Sequence, residues 1–542
     1  MRRRAALLLL LLLLTAAAIL SCRDSAPVPA PLVLSSGDPV TIVCSEDGAA
    51  ADAVSEIRTH LTQLGCNVSV VQDDSSAEGG ILLLGRTEHT LSAELEALVQ
   101  AETPPGGTGW GFLVRNSVLA VYASEKEGYT NVMNQLFEEF TTDQTMILPD
   151  GTARTGALSA EEWEALTQER RECARLRAAI RAQAAHEPAI TALESPYAAP
   201  PVVPVRAQHP RVLLTRDSIP GIRTALTSDE GHAAATEFAN LAAQEITGLL
   251  PALQGDAPTH NYDGRLLGVI EAKGLAYLLT GRELYGYQAI YALNNYIETL
   301  DIRRLNDKYR AYGHTMFTAA EIYDWCHDLM TDEDRASLVS AVEHRLCRDG
   351  KMEIGFPPMQ QSPISSHGSE AQLLRDYMAF AIAVYDEYPD WWEYTGGRFY
   401  EEYVPFRNEY MQSGLSPQGV GLYGPYRHNF DLWAAFLVQT MSGEMPFTGS
   451  IRQVLPSFLA AELPQDKEVF PDGDYYGQNL GLIELGDAQA DTSNGELYSV
   501  CTAMLHSALF GNETSRAAAK YYSRDFTRFI HTRTTSLRQA NT

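Results

Sequence analysis

The sequence predicts a multidomain protein in which a small α/β domain precedes a larger all-α domain. Three features of its 542 residues predict this order. Short strand-like and helix-like segments alternate over about residues 31–155, a stretch rich in Pro and Ala follows, and long amphipathic helical patterns occupy most of the chain from Gln208 onward. At this length each domain can bury a core of its own.

The first region has the alternation of βαβ units. "VTIVC", "NVSVVQ" and "GGILLLGR" are typical of strands, and "AAADAVSEIRTHLTQLG" and "GYTNVMNQLFEEF" have the spacing of amphipathic helices. "GWGFLVRNSVLAVYAS" predicts a hairpin that turns at residues 115–117. We therefore predict an α/β domain over residues 23–158. Gly85 belongs to no GxGxxG motif, so no dinucleotide site is predicted.

Residues 159–205 predict a charged helix followed by a linker. The helix begins at Ser159 with a Ser-x-x-Glu capping box, and "EPAITALESPYAAPPVVPV" is typical of a stiff, extended connection. Residues 206–542 then read as successive helical pairs. The joints "LTGRELYGYQAI" and "LMTDEDRASL" predict a Thr or Asp cap at the start of each new helix. Periodicity leaves open whether the pairs close into a ring or stack as a solenoid.

Charge and cysteine content exclude several classes of function. The chain has 69 acidic and 41 basic residues, a formal net charge of −28, which argues against nucleic acid as a partner because phosphate binding needs a basic surface. Its seven cysteines are scattered and form no CxxC pair, which argues against a structural zinc site and a disulfide scaffold. Whether Cys44 and Cys66 pair is left open by the sequence.

The first residues predict export and a lipid anchor. "MRRRAALLLLLLLLTAAAILSC" has basic residues before an apolar run of signal-peptide length, and it ends in a stretch that resembles a bacterial lipobox. That resemblance implies cleavage before Cys22 and lipidation of this cysteine, so residues 1–22 are a lipoprotein signal peptide. The predicted location is the bacterial cell envelope, on the periplasmic side or at the outer-membrane surface. An ordinary signal peptide, or a membrane helix with an incidental Cys, is the alternative.

Two later stretches concentrate groups that can transfer protons. In "SSHGSEAQLLRDYMAFAIAVYDE", His367 and Glu370 are three residues apart at the start of a helical pattern, which puts them on one face. In "MQSGLSPQGVGLYGPYRHNFDLW", Tyr423, Tyr426 and Arg427 lie in a Gly-rich loop just before a helix. If this loop turns helically, Arg427 lies near the Tyr423 phenol and favours its phenolate form. A surface pair or helix cap, and plain aromatic packing, are the structural alternatives.

These stretches, together with "HPRVLLT" and "GRFYEEYVPFRNEYMQSGLSPQGVGLYGPYR", resemble the heparinase II/III family of bacterial polysaccharide lyases over about residues 206–480. The resemblance implies an incomplete (α/α) toroid, followed in the family by an antiparallel β-sandwich, with the glycan in the cleft between them. The first domain, through "ILLLGRT" and "EGYTNVMNQLFEEF", resembles the non-catalytic α/β domain of bacterial hexosaminidases and α-glucuronidases.

The family chemistry is β-elimination at a uronic acid. It needs a neutralised C5 carboxylate, a base for the C5 proton and an acid for the leaving oxygen at C4. By resemblance, His367 is the catalytic histidine, Tyr423 is the acid/base tyrosine, and Glu370 helps to bind and neutralise the uronate. The resemblance assigns Arg427 to the substrate carboxylate, which a guanidinium can bind with two hydrogen bonds. The predicted substrate-binding residues are Arg427, Tyr426, Arg310 and His314, the last two from "KYRAYGHTM".

The chain ends at Thr542, soon after the helical part. We therefore expect the family's β-sandwich to be missing, and with it the second catalytic histidine and the zinc site that the family carries there. The prediction is that the protein binds no metal and no other cofactor.

Two other functions remain open on sequence grounds. One is a non-catalytic glycan-binding surface lipoprotein that keeps the helical domain without a complete site. The other is a glycoside hydrolase, which would need two carboxylates across a cleft, with Asp472 or Asp474 in "FPDGDYYGQN" opposite Glu370. Asp-Gly-Asp is more often a turn. The leading prediction is a polysaccharide lyase that acts on an anionic uronate-containing polymer, such as a glycosaminoglycan or an alginate-like chain.

Overall fold

A computed structural model describes residues 31–45, 48–72, 79–142, 145–183, 194–205, 208–228, 232–246, 261–301, 308–348, 372–415, 423–463, 481–482 and 492–522. The chain divides into two compact units, Met1–Glu169 (unit 1) and Arg170–Thr542 (unit 2). Unit 1 contains a small α/β sheet structure and unit 2 is built of helices, in the order that the sequence predicts.

The core of unit 1 is a six-stranded mixed sheet with the order β3-β2-β4-β6-β5-β9. Strands β2, β3, β4 and β6 are parallel, whereas β5 pairs antiparallel with both β6 and β9. A separate antiparallel sheet has the order β1-β8-β7. The described strands are β1 (Leu32–Ser35), β2 (Pro39–Cys44), β3 (Asn67–Val71), β4 (Gly80–Leu84), β5 (Thr108–Arg115), β6 (Val118–Ala123), β7 (Thr141–Thr142), β8 (Thr145–Leu148) and β9 (Ala153–Leu158).

Helices cover both faces of this sheet because its strands are apolar on both sides. On β4, Leu82 and Leu84 pack with helices α1 (Gly48–Gln63) and α3 (Lys126–Phe140). Leu83 points to the opposite face and packs with α2 (Thr90–Glu102). This alternation is the period-two pattern of a strand buried on both faces.

The sequence predictions for unit 1 hold for the elements that they covered. β2, α1, β3, β4 and α3 are present, and the predicted hairpin joins β5 to β6 through Asn116 and Ser117, both with positive φ (51° and 60°). Sequence analysis had not predicted β1, β7, β8, β9 or α2. Helix α2 lacks a conventional start signal, because its N-cap is His89, whose ring accepts a hydrogen bond from the backbone N–H of Leu91.

Cys44 and Cys66 are buried, and no disulfide joins them. Each donates a weak hydrogen bond to a backbone carbonyl, Cys44 to Ser45 at 3.2 Å and Cys66 to Ser35 at 3.5 Å. Burial raises the pKa of the Cys66 thiol. Both behave as small apolar core residues.

The described part of unit 2 is helical, apart from connecting segments and a two-stranded ladder of Glu462–Leu463 with Gly481–Leu482. Three helical stretches are π-helical: Val342–Arg348, Gln372–Tyr377 and Phe399–Tyr403. The remaining helices are α4 (Ala160–Ala182, which contains the division between the units), α5 (Ile219–Leu226), α6 (His232–Ala242), α7 (Gly264–Thr280), α8 (Glu283–Thr299), α9 (Lys308–Trp325), α10 (Asp332–Ala341), α11 (Met378–Ala383), α12 (Pro389–Arg398), α13 (Val404–Tyr410), α14 (Tyr423–Ser442), α15 (Ser450–Ala461), α16 (Thr492–Phe510) and α17 (Glu513–Tyr522). No described helix combines the length and the apolar character that crossing a membrane requires.

Successive helices of unit 2 pack as neighbours around helix α9. α7 packs on α6, α8 and α9, and α9 also packs on α11 and on the π-helical turn before it. That turn contacts α14, which packs on α16. Gly274 allows α7 to approach α9 closely, because an added Cβ would lie 2.5 Å from Cδ1 of Ile322.

The two predicted helix caps have different outcomes. Thr331 caps α10 in a reciprocal box with Asp334, as predicted. Ser159 likewise forms its predicted box with Glu162. At the other joint the prediction of a Thr cap is wrong: the N-cap of α8 is Arg282, without a side-chain hydrogen bond. Thr280 instead ends α7 and donates to the carbonyl of Ala276 at 2.6 Å.

The segment rich in Pro and Ala lies against helices of unit 2. Residues 194–205 have no regular secondary structure. The indole of Trp392 donates to the carbonyl of Val202 at 2.8 Å, and the hydroxyl of Tyr197 bonds to Glu402 at 3.2 Å. The stretch that the sequence predicts as a linker is therefore packed along α12 and the π-helical turn after it.

The "HPRV" segment that follows is anchored by one buried carboxylate. Asp324, near the end of α9, accepts hydrogen bonds from the backbone N–H groups of Arg211 and Val212, each at 2.8 Å, and lies 2.7 Å from Nδ1 of His209. The guanidinium of Arg211 donates to the carbonyls of Ile382 and Ala383 at the end of α11. One short segment thus ties α9 to α11.

We predict that Asp324→Ala destabilises unit 2 by about 3 kcal/mol or more, because it leaves two buried backbone N–H groups and an imidazole without their acceptor. The matched control is Asp328→Ala, which removes an exposed carboxylate that pairs with Arg216 and lies 3.9 Å from His327. That variant should change the free energy of unfolding by less than about 1 kcal/mol. Urea unfolding followed by tryptophan fluorescence measures both; equal losses would contradict the prediction.

Candidate functional site

Five residues that the sequence singled out lie outside the described residues. They are Cys22, His367 and Glu370, and the two carboxylates of the hydrolase alternative, Asp472 and Asp474. Their roles stay predictions.

Three more predicted residues lie in helices. Arg310 belongs to α9, and Tyr423 and Tyr426 belong to α14. The sequence predicts a loop for these tyrosines, with the helix beginning after them; this is wrong, because α14 begins at Tyr423 itself. Pro425 is compatible with this start, since a proline in the first turn of a helix breaks no hydrogen bond. Positions 423 and 427 are therefore one helical turn apart.

The side chains of the other two predicted residues are described, and both are buried. His314 is 6% exposed and Arg427 is 1% exposed. The two residues are connected through the side chains that lie between them. These contacts begin at His314 on α9 and end at the first turns of α14.

His314 is the centre of a hydrogen-bonded relay between α9 and α7. Its Nδ1 lies 2.8 Å from the hydroxyl of Tyr262, and its Nε2 lies 3.0 Å from Oε1 of Glu271. Thr318, one turn further along α9, donates to the same oxygen of Glu271 at 2.7 Å. Both nitrogens of the ring thus have partners within the protein.

The relay has a definite polarity. The oxygens of an ionised carboxylate only accept hydrogen bonds, so Oε1 of Glu271 is the acceptor for both Thr318 and Nε2 of His314. The proton of a neutral imidazole is then on Nε2, and Nδ1 accepts the hydrogen bond that the Tyr262 hydroxyl donates.

Local structure at the start of α7 fixes the position of Tyr262. The next residue, Asp263, is the N-cap and accepts from the backbone N–H groups of Arg265 and Leu266. The backbone N–H of Asp263 in turn donates to the hydroxyl of Tyr296 at 2.9 Å. Tyr262 itself is half-buried.

The second part of the site is the π-helical turn Gln372–Tyr377, which follows the His-Gly-Ser-Glu motif in the sequence. Nε of Arg375 lies 2.7 Å from Oδ1 of Asp376, whose side chain is 1% exposed. Burial raises the pKa of Asp376, against the opposing effects of Arg375 and of the nearby His314. Single π-helical turns are frequent at functional sites.

Arg375 connects the helices that carry the predicted site residues. Its Cζ lies 4.7 Å from the ring centroid of Phe317 on α9 and 5.3 Å from that of Phe430 on α14. Phe317 also makes an edge-to-face contact with Trp433 of α14. A guanidinium between two aromatic rings thus holds the π-helical turn between the two helices.

The first turns of α14 contain a second buried ion pair. Nε of Arg407 on α13 lies 2.9 Å from Oδ1 of Asp431, and both side chains are 2% exposed. Nδ1 of His428 lies 3.3 Å from the other carboxylate oxygen. Burial alone would raise the pKa of Asp431, but Arg407 and His428 hold it below its ordinary value.

One glycine of the predicted loop, Gly414, is required by the backbone conformation and by a close contact. Gly414 has a φ of 73°, and an added Cβ would lie 2.4 Å from the carbonyl carbon of Gln453. This turn must contain glycine for the chain to pass α15 so closely.

Across the described ranges, no group of three His, Cys, Asp or Glu side chains is arranged to hold a metal ion. The carboxylates described here are engaged instead by guanidinium, imidazole, hydroxyl or backbone donors.

Sequence reasoning missed Tyr262, Glu271, Thr318 and the Arg375–Asp376 pair. A signal existed for Glu271, which is a lone carboxylate within the apolar run "LLGVIEAKGLAYLL" of a predicted helix. Thr318 is four residues after His314 and so on the same helical face. Tyr262 gave no such signal, because its partner is 52 residues away.

We predict that Arg407→Met lowers the free energy of unfolding of unit 2 by about 3–5 kcal/mol at neutral pH, because it leaves a buried carboxylate without its cation. The pKa of Asp431 is depressed in the fold, so the contribution of the pair is present above about pH 4 and is lost as the pH falls through the folded value. The difference from wild type should therefore narrow in acid.

The control for this prediction is Arg345→Met, which removes an exposed pair with Glu298 and should cost less than about 1 kcal/mol. Urea unfolding at several pH values measures both variants. A difference that grows as the pH falls would contradict the assignment.

Comparison with known proteins does not assign the chain to a family. No protein-family model matches the sequence, and no curated protein matches it. The case for a function rests on the motif resemblance and on the contacts described above.

Proposed function

We propose that the protein is a polysaccharide lyase that cleaves a uronic-acid-containing polysaccharide by β-elimination, within the heparinase II/III family that its motifs resemble. The observation that carries the proposal is the position of Arg375 between Phe317 and Phe430. Through it, three stretches that resemble the family's site become neighbours: the helix of His314, the turn after His-Gly-Ser-Glu and the helix that begins at Tyr423.

The elimination needs charge neutralisation, a base and an acid. In this proposal Arg427 and Glu370 bind and neutralise the uronate carboxylate, which makes the C5 proton acidic. Tyr423 is the acid/base phenol, and His367 is the catalytic imidazole beside it. The helical start of α14 supports part of this arrangement, because it puts positions 423 and 427 one turn apart.

The rest of the molecule fits an envelope enzyme of this kind. The helices of unit 2 form the family's incomplete toroid, and unit 1 is a non-catalytic accessory domain. Lipidation at Cys22 holds the chain at the periplasmic or outer-membrane surface. No metal or other cofactor takes part in the proposed reaction.

The substrate class follows from charge. With a net charge of −28, the protein repels a polyanion at long range. A weakly anionic uronate polymer is repelled less than a heavily sulfated one. We therefore propose the weakly anionic polymer as the better substrate.

We predict that Tyr423→Phe and His367→Ala each reduce turnover roughly a hundredfold or more, because each removes a group that transfers or supports a proton in the transition state. Elimination produces an unsaturated uronyl group that absorbs in the ultraviolet, so absorbance over a panel of uronate polymers measures the reaction directly.

The panel also separates the alternatives. A hydrolase would produce new reducing ends without ultraviolet absorbance, and a binding protein would produce neither. Circular dichroism of each variant controls for folding. Cleavage by Tyr423→Phe at the wild-type rate would refute the mechanism.

A further inference from the structure

We infer that Tyr262 is a catalytic residue of the proposed lyase, the base that accepts the C5 proton, and that His314 and Glu271 activate it through the relay described above. This rests on the proposed function and divides its two proton transfers between two phenols: Tyr262 takes the proton from C5, and Tyr423 protonates the leaving oxygen.

Geometry carries the assignment. The hydroxyl of Tyr262 lies 2.8 Å from Nδ1 of His314, and Nε2 of that ring lies 3.0 Å from Oε1 of Glu271. With the polarity argued above, the hydroxyl donates to the ring and the ring donates to the carboxylate. A hydroxyl, an imidazole and a carboxylate in this order form the arrangement in which imidazole accepts a hydroxyl proton and a carboxylate stabilises the imidazolium. Tyr262 is half-buried at the start of α7, whereas His314 is 6% exposed. Of the hydroxyl and the imidazole, the phenol is therefore the group placed to meet a ligand, while the Glu271 carboxylate, 13% exposed, is engaged by His314 and Thr318.

The step is balanced. As the proton of C5 moves to the Tyr262 oxygen, the phenol proton moves to Nδ1 of His314, and the electron pair of the C5–H bond forms the C4–C5 double bond. The C4–O4 bond breaks with its electron pair on O4, which takes the proton of Tyr423. Afterwards His314 releases one proton to water and Tyr423 regains one.

The charged groups around the relay are consistent with a proton acceptor. Glu271 faces His314 from α7, and the buried Asp376 lies close enough to His314 for each to affect the other's charge. Arg375 is paired with Asp376, which leaves Glu271 as the carboxylate hydrogen-bonded to the ring.

We predict that Tyr262→Phe lowers kcat roughly a hundredfold or more and changes KM little, because only transition-state proton transfer is lost. The matched control is Tyr410→Phe, which removes the hydroxyl of a tyrosine that is 63% exposed and should leave kcat unchanged. Thermal unfolding of both variants separates loss of the relay from loss of the fold.

Glu271→Gln tests whether the relay acts through His314. The amide cannot stabilise the positive charge that reaches the ring as Tyr262 gives up its proton, so kcat should fall while KM and the unfolding temperature stay at their wild-type values. Glu271→Asp, which keeps the carboxylate, should restore part of kcat. A carboxylate with a purely structural role would instead lower the unfolding temperature together with kcat.

A second readout needs no turnover. In the ¹⁵N spectrum of the full chain with labelled histidines, His314, assigned by its absence in His314→Gln, should carry its proton on Nε2, and Tyr262→Phe should shift its Nδ1 signal. A proton on Nδ1, or wild-type kcat in Tyr262→Phe, would overturn the inference while leaving the proposed function intact. A wild-type chain that cleaves no uronate polymer would overturn both.

Discussion

Buried carboxylates must be paired, and this constraint shapes unit 2. Asp324, Asp376 and Asp431 are each 2% exposed or less, and each meets a cation or a set of N–H donors. Moving a carboxylate out of water costs several kcal/mol unless such partners compensate. Each of the three is therefore restricted to one arrangement, and each lies where separate parts of the chain come together.

Helix α9 contains both one of these buried carboxylates and the histidine of the proposed relay. Near one end, Asp324 anchors the "HPRV" segment and, through Arg211, the end of α11. About 15 Å earlier along the helix axis, at 1.5 Å per residue, His314 forms the relay with Tyr262 and Glu271. A site built on a helix that is tied to its neighbours at both places is better positioned for proton transfer than a site on a loop.

The sequence predicted local features well and long-range pairings poorly. The strands around "VTIVC" and "ILLLG", the hairpin turn and the capping boxes at Ser159 and Thr331 depend on neighbours within a few residues, and they were predicted correctly. The cap predicted at the start of α8 was wrong, because the helix begins later than the Thr suggested and its N-cap is Arg282. The Thr280 hydroxyl lies two residues earlier, where it donates to its own helix and accepts from the backbone N–H of Arg282 at 3.2 Å.

The residue pairs of the candidate site were likewise not predictable from the sequence. Motifs pointed to His314 and Arg427, and the fold brings their helices together through Arg375, a residue of a quoted motif to which the sequence assigned no role. Asp324 and His209 are 115 residues apart, and Tyr262 and His314 are 52 apart. No periodicity encodes such pairs, because each depends on how whole helices pack.

Charge is the property that constrains the proposed substrate most strongly. The guanidinium groups of Arg211, Arg375 and Arg407 are committed to carboxylates or carbonyls of the protein itself, so they add little positive potential for a ligand. A uronate that enters this site must then be neutralised locally, by a guanidinium such as that of Arg427 or by a protonated acid, against the repulsion of a protein with a net charge of −28. Such a site gains most by stabilising the charge that appears on the carboxylate as the C5 proton leaves, since that charge exists only in the transition state.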